Sequence, residues 1–484
     1  MPFSKDFMWG VSTSAYQIEG APSADGKGPS IWDVFCRRPG RIFQGHTGDA
    51  ACDHYRRYAG DVALMKALGL NAYRFSLSWP RILPEGEGAV NARGLDFYNR
   101  LIDALLEAGI EPLITLYHWD LPHELHLRGG WMNADSARWF ADFARVAADA
   151  FSDRVRFWNT LEEPCTYIIM GYRTGEHAPG WRLPVADVLQ AGHHTLLAHG
   201  DAVRAIRERA RTPPTIGCDA TASAFVPLTE SPADIAAARA ATFAFGRIDA
   251  WGNSRATDDD LSLWVNCWWG DPVYLGRYPE EALRVLGDRA PKVRPGDMER
   301  IAAPVDQCQL SVYGGKRCRA GADGRPEPVP YEPGYATTTQ NHWAVEPGCI
   351  YWSARFMHER YGRPILIAEN GHQNLDSLSP DGRVRDPQRA DYLARVLPGL
   401  QRAVDEGLPV SGYFHWTLMD NFEWAEGYNI RVGLVHTDFR TQTRTPKDSF
   451  EFYRRAIAHA RQTGSLPPAE ASRDRPDGRG GVIT

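Results

Sequence analysis

Residues 157–165 read FWNTLEEPC, with two adjacent glutamates, Glu162 and Glu163, closing a β-like run directly before a proline. Removing a carboxylate from water is costly unless it is paired or put to use. Two carboxyls aimed into one cavity also raise each other's pKa. An isolated pair of acids at a strand end is most simply a solvated junction, because charged side chains are mostly exposed. The chemical alternative is a carboxyl that transfers protons or attacks a substrate. Which holds depends on the other polar side chains that the fold brings to the same level.

The elements that would position them are legible as a repeat. Short β-rich runs at 7–14, 71–79, 111–119, 154–163, 215–225, 305–314, 363–371 and 410–418 alternate with helical patterns. In 92–109 the residues Leu95, Tyr98, Leu101, Ile102 and Leu105 share one helix face, and Gly109 is the stop signal. Segments 55–69, 136–151 and 386–407 repeat the pattern. Eight such units predict an α/β fold, a single (β/α)8 TIM barrel over residues 1–464, with long loops over its C-terminal face. The polar stretches 252–262 and 320–345 read as such loops. Residues 465–484, rich in Pro, Gly and charge, are expected to form a disordered tail.

Active-site residues of such barrels lie at the C-terminal strand ends. Arg74, His118, Glu162, Glu163, Tyr313, Glu369 and Trp416 fall there, and Gln17 follows the first strand. One His or Tyr in such a place is ordinarily a packing residue; polar groups recurring at one end of many strands point to a site. Composition narrows its ligands. The 484 residues are 43% hydrophobic and 24% charged, with net charge -6 and both signs interspersed, so no basic stripe suggests nucleic acid. No apolar run reaches the roughly 18 residues of a membrane span. The opening MPFSKDFMWG lacks the basic flank and apolar core of a signal peptide. Eight scattered cysteines without a CxxC pair argue against a zinc knuckle or disulfide framework and suit a reducing cytoplasm. Sixteen tryptophans hint at aromatic faces for sugars. The surface pattern indicates no oligomeric state.

The chain closely resembles the family 1 glycoside hydrolases, the β-glucosidase-like retaining barrels, from about residue 3 to 462. FMWGVSTSAYQIEGA is similar to the family's N-terminal signature, and NAYRFSLSWPRILP and LYHWDLP to its second and third strands. FWNTLEEP resembles the acid/base segment, ILIAENG the nucleophile segment, and GYFHWTLMDNFEWAEGY the eighth strand and its loop. The resemblance implies Glu163 as acid/base and Glu369 as nucleophile. Retaining hydrolysis needs such carboxyls roughly 5–5.5 Å apart across the scissile bond, which strands four and seven can provide. It further implies that Arg74 keeps Glu369 ionised and that Tyr313 hydrogen-bonds the same carboxylate. Gln17, His118, Trp119, Glu162, Glu423 and Trp424 would bind the terminal sugar, with Glu423 as an acceptor of two hydroxyls and Trp416 as the stacking platform. NFEWAEGY lacks the Ser and Lys that hold a 6-phosphate in phospho-β-glycosidases of the family, so an unphosphorylated small-molecule glycoside or oligosaccharide is implied. No metal constellation stands out, and hydrolysis by two carboxyls needs no cofactor.

Three positions depart from the family pattern: Glu162 and Ser311 stand where Asn is usual, and Ala368 where Thr is usual. The Asn replaced by Glu162 normally binds the sugar 2-hydroxyl. Glu162 can be protonated and donate to that hydroxyl, be ionised and pair with a substrate cation such as a 2-ammonium group, or point elsewhere. Altered recognition at the sugar 2-position is therefore expected. A transglycosylase or a tailoring enzyme for a glycosylated small molecule is the alternative on the same scaffold. A non-catalytic sugar-binding protein is disfavoured by the intact Glu163, Glu369, Arg74 and Tyr313.

Overall fold

Eight parallel strands close on themselves in the computed structural model, which describes residues 2–246, 262–339 and 342–468. They are β1 (Met8–Thr13), β2 (Ala72–Ser76), β3 (Glu111–Tyr117), β4 (Phe157–Glu162), β5 (Thr215–Ala222), β6 (Gln307–Ser311), β7 (Ile365–Asn370) and β8 (Val410–Trp416). Each pairs with its sequence neighbours, and β1 pairs with both β2 and β8, so no edge is left open. Each strand is followed by a helix on the outside. These are α1 (His54–Leu68), α2 (Ala92–Glu107), α3 (Ser136–Phe151), α4 (Val185–Arg209), α5 (Asn266–Leu275), α6 (Cys349–Tyr361), α7 (Pro387–Asp405) and α8 (Asp448–Thr463). This is the (β/α)8 barrel expected from the alternating pattern.

Helix α2 shows how the local signals act. Its apolar face, including Phe97, Tyr98, Leu101, Ile102 and Leu105, is buried. Gly109 takes the left-handed conformation (φ 75°). That lets its N–H reach the Leu106 carbonyl at 3.0 Å and the Ile110 N–H reach the Leu105 carbonyl at 2.9 Å, the paired bonds of a Schellman cap.

Met8, Ala72, Leu113, Leu366 and Phe414 pack together near the strand starts and plug the bottom of the barrel with apolar groups. The polar side chains of the cavity lie at the other end. There the strand registers slip: between Asn159 and Glu162 against β5, between Cys218 and Thr221 against β6, and between Ile367 and Glu369 against β6. Such bulges re-aim side chains and are common beside active sites.

One strand expectation and one loop expectation are corrected. The run 215–225 divides: β5 ends at Ala222, and Phe225–Pro227 enters a second sheet with Lys316–Ala320 and Pro326–Val329. The stretch 320–345 therefore opens with strand structure rather than loop. Its hairpin is polar outside, with Arg319 opposite and hydrogen-bonded to Glu327 (3.1 Å), while Cys318 packs inward on a cluster with Phe225, Trp352 and Phe356. Of 252–262, all but Ser262 lies outside the described residues, as does the expected tail from 469 onward. Among the described residues no helix is long and apolar enough to cross a membrane.

The loops after β7 and β8 are tied by a fully buried ionic knot. Lys447 Nζ lies 2.6 Å from both Asp376 Oδ2 and Asp420 Oδ1, and Arg389 Nη1 lies 2.7 Å from Asp376 and pairs also with Asp386. Breaking a buried pair strands its partner's charge, at about 3–5 kcal/mol. Lys447→Met is expected to lower unfolding free energy by about that amount, read as an earlier midpoint in urea at unchanged slope.

Candidate active site

A cavity of about 470 Å³ opens at the C-terminal end of the barrel, lined by residues that include His118, Glu162, Glu163, Glu369, Trp416 and Glu423. The two glutamates of the LEEP stretch both face it, although successive strand residues point to opposite sides. The backbone explains this. Glu162 ends β4, whereas Glu163 is left-handed (φ 42°, ψ 65°) and caps the short helix Pro164–Ile168. A non-glycine residue there is strained by about 1–3 kcal/mol. It is held by its own N–H on the Asp219 carbonyl (3.1 Å) and by Thr166 Oγ1 donating to Glu163 Oε2 at 2.7 Å.

Glu369, near the end of β7, is gripped on both oxygens. Arg74 Nη1 donates to Oε1 at 2.7 Å, and Tyr313 Oη donates to Oε2 at 2.5 Å. Arg74 also pairs with Glu162. Glu162 Oε2 accepts from Asn159 Nδ2 at 3.0 Å, and its Oε1 lies 3.2 Å from the Ser311 hydroxyl. Ser311 Oγ lies 2.6 Å from Asp219 Oδ2. Arg74 is thus shared by two carboxylates, and Glu162 finds its cation inside the protein.

These environments separate the carboxyls. Burial, then the Glu369 and Asp219 charges, push Glu163 well above the usual carboxyl range, against Thr166 and Arg74. Burial also raises Glu369, but Arg74 and Tyr313 oppose it. The expectation that Arg74 simply keeps Glu369 ionised is modified: the guanidinium pulls down a carboxyl that burial has pushed up.

Glu423, expected as an acceptor of two hydroxyls, lines the same cavity. Burial and the Glu369 charge push it up to about 8, against the Gln17 amide, which donates to Glu423 Oε2 at 3.1 Å. Burial and Arg74 drive His118 well below its ordinary value, leaving it neutral. Atoms of His118, Glu162 and Glu369 lie within 4.8 Å of one another, as metal ligands can. The Arg74 guanidinium already lies on both carboxylates, so a metal ion there would face a like charge.

An aromatic wall completes the cavity. Trp424 packs on Trp119 with centroids 4.5 Å apart, and His118 stacks on Trp416 at 5.6 Å and 22°. Trp119 is turned by a positive φ of 81°, and its Nε1 donates to the Glu162 carbonyl at 2.9 Å. The structure thus brings Gln17, Arg74, His118, Trp119, Glu162, Glu163, Tyr313, Glu369, Trp416, Glu423 and Trp424 to one place. Sequence reasoning passed over Asp219, Asn159 and Thr166. An acid set in the apolar run of β5 was the available signal for Asp219, since an unpaired charge there is costly. Trp343, Gln373 and His177, also on the cavity wall, lie on loops that carry no such signal.

A closed parallel barrel presenting two buried carboxyls of unequal basicity beside an aromatic wall is the apparatus of a glycosidase. A family model described as glycosyl hydrolase family 1 matches residues 1–462, and the chain belongs to that family of retaining O-glycosyl hydrolases. It is 43% identical over 456 residues to β-glucosidase A of Thermotoga maritima, covering 94% of this chain and 97% of that protein. A β-glucosidase from an Agrobacterium species is 40% identical over 455 residues, covering 93% and 94% of the two chains. The solved structure of the Thermotoga maritima β-glucosidase in complex with glucoimidazole superimposes with a TM-score of 0.83 at 42% identity, over 95% of this chain and 99% of that one.

Because the Tyr313 hydroxyl lowers the Glu369 pKa, Tyr313→Phe is expected to raise it further. Carbon-detected NMR of glutamate-labelled enzyme reads the shift directly. A downward shift would mean that the phenol bonds the acid form instead.

Proposed function

We propose that the enzyme hydrolyses an unphosphorylated, terminal β-linked sugar of the glucose type, with Glu369 as nucleophile and Glu163 as acid/base. The carrying observation is the unequal setting of the two carboxyls: Glu369 under Arg74 and Tyr313, Glu163 raised further by burial and by the Glu369 charge. In the first step a Glu369 oxygen bonds to the anomeric carbon as the glycosidic C–O bond breaks, and Glu163 gives its proton to the departing oxygen. In the second, Glu163 takes a proton from water, whose oxygen bonds to the same carbon and frees Glu369. Once Glu369 is esterified its charge is gone, which lowers the Glu163 pKa as the base role requires. Named relatives acting as β-glucosidases support the sugar class. The described cavity lining holds no Lys or Arg for a sugar phosphate, which supports an unphosphorylated substrate. Eight buried cysteines, none of them in a disulfide, support a cytoplasmic setting.

Glu163→Gln is expected to lower kcat/KM about 10²–10⁴-fold for a poor leaving group, and little for dinitrophenol, which departs without a proton. Glu369→Gln should abolish turnover of both. Mass spectrometry after a 2-deoxy-2-fluoro glucoside should find the sugar on Glu369; a label elsewhere, or none with turnover intact, contradicts the assignment. Formation of a new glycoside in place of free sugar would favour the transferase alternative.

At the 2-position, Asn offers both a donor and an acceptor, whereas ionised Glu162 only accepts. We infer a preference for donors there, a hydroxyl or an ammonium. Glu162→Asn should move selectivity from 2-amino toward 2-hydroxy glucosides by about tenfold, the size of one charge-assisted hydrogen bond. An unchanged order of 2-hydroxy, 2-deoxy and 2-amino substrates would refute it.

A further inference from the structure

Asp219 stands opposite Glu162 in the β4–β5 register and is completely buried. Between them sits the Ser311 hydroxyl, 2.6 Å from Asp219 Oδ2 and 3.2 Å from Glu162 Oε1. A hydroxyl has one proton. Two ionised carboxylates would have to split it while facing each other as like charges out of water, which is unfavourable. One extra proton resolves the conflict. Glu162 does not need it, because its Oε2 already takes Arg74 and the Asn159 amide. Asp219 Oδ1 is buried with no hydrogen-bond partner, the signature of the C=O of a neutral acid.

We propose that Asp219 is a positioning residue that carries a proton in the resting enzyme, donates it to Ser311 Oγ, and so directs the Ser311 hydrogen onto Glu162, fixing that carboxylate against Arg74. The inference rests on reading this cavity as the glycosidase centre. Sizes agree with it: the longer Glu at 162 and the shorter Ser at 311, both departures from the family pattern, leave room for one another. Burial raises Asp219 to about 8, against Arg74 and Ser311 and helped by Glu369. The groups facing it are Arg74 from β2, Glu162 from β4, Glu163 and Cys165 just beyond it, Cys218 on β5, Tyr274 of α5 and Glu369 of β7. Burial pushes the two thiols and the Tyr274 phenol up, so they stay neutral where Asp219 titrates. The relay is complete below about pH 8 and lost as pH rises through that value.

Two measurements test this. The infrared difference between native enzyme and Asp219→Asn at neutral pH should show a carboxylic-acid carbonyl band that fades as pH rises through about 8; a carboxylate band pair in its place overturns the proposal. In turnover of a dinitrophenyl β-glucoside, which needs no proton from Glu163, Asp219→Val should lower kcat/KM by about 10²-fold, the cost of a displaced site group. Asp219→Asn, whose amide can donate to Ser311, should recover at least about tenfold of that loss and reduce the alkaline limb near pH 8, leaving only the part that Glu423 carries. Equal pH profiles for the native enzyme and both variants overturn it. If no β-glucoside is turned over, the glycosidase reading fails, and the infrared comparison still decides the proton on Asp219.

Discussion

One guanidinium carries the electrostatics of this site. Arg74 is fully buried on β2 and lies on both Glu369 and Glu162, within a group of acids that also includes Glu163 and Asp219. A single buried cation cannot neutralise so many acids, so protons must make up the difference. Where they settle follows the distance from Arg74 and the number of donors each oxygen receives. Glu369, held from both sides, is the easiest of the catalytic pair to ionise; Glu163, with only a threonine hydroxyl, is the hardest. On the proposed assignment, the division of labour between acid and nucleophile follows from one side chain's position.

That position depends on backbone irregularity. A regular barrel would send Glu162 and Glu163 to opposite faces and hold Glu369 in even register with its neighbours. The slips at the ends of β4, β5 and β7, with the left-handed turn at Glu163, rotate these residues into a common space. The apolar plug of Met8, Leu113 and Phe414 beneath them shows where regular pairing suffices. Stability is built at the bottom of the barrel, and strain is accepted at the top.

Much of this was legible in the residues. The barrel strands announce themselves because they are apolar, short and evenly interrupted, and Glu163 and Glu369 because long ordered motifs surround them. The hairpin at Lys316–Val329 was missed since its outer face is polar and its inner face packs on Phe225, Trp352 and Phe356, far away in sequence. Asp219 was missed for a related reason. Its meaning lies in a register with Glu162 and a contact with Ser311, 92 residues on, and neither is a local property. Arg74 was assigned to Glu369 correctly in place, but its second carboxylate and the weight of burial on the first appear only in three dimensions.

The mouth of the cavity is built in two styles. On the side of β7 and β8 the loops are knotted by Lys447 and Arg389, and they carry Glu423 and Trp424, which line the cavity. On the side of β6, the chain between β6 and α6 forms a hairpin with its own small apolar cluster before returning Trp343 to the cavity wall, where it packs on Tyr313 with centroids 5.2 Å apart. A substitution in the knotted half disturbs buried charge and the cavity wall together, whereas the hairpin half can be reshaped with its foundations left intact. For an engineer, or for natural drift, the hairpin side of the mouth is therefore the adjustable half of the cavity, and the knotted side the constrained one.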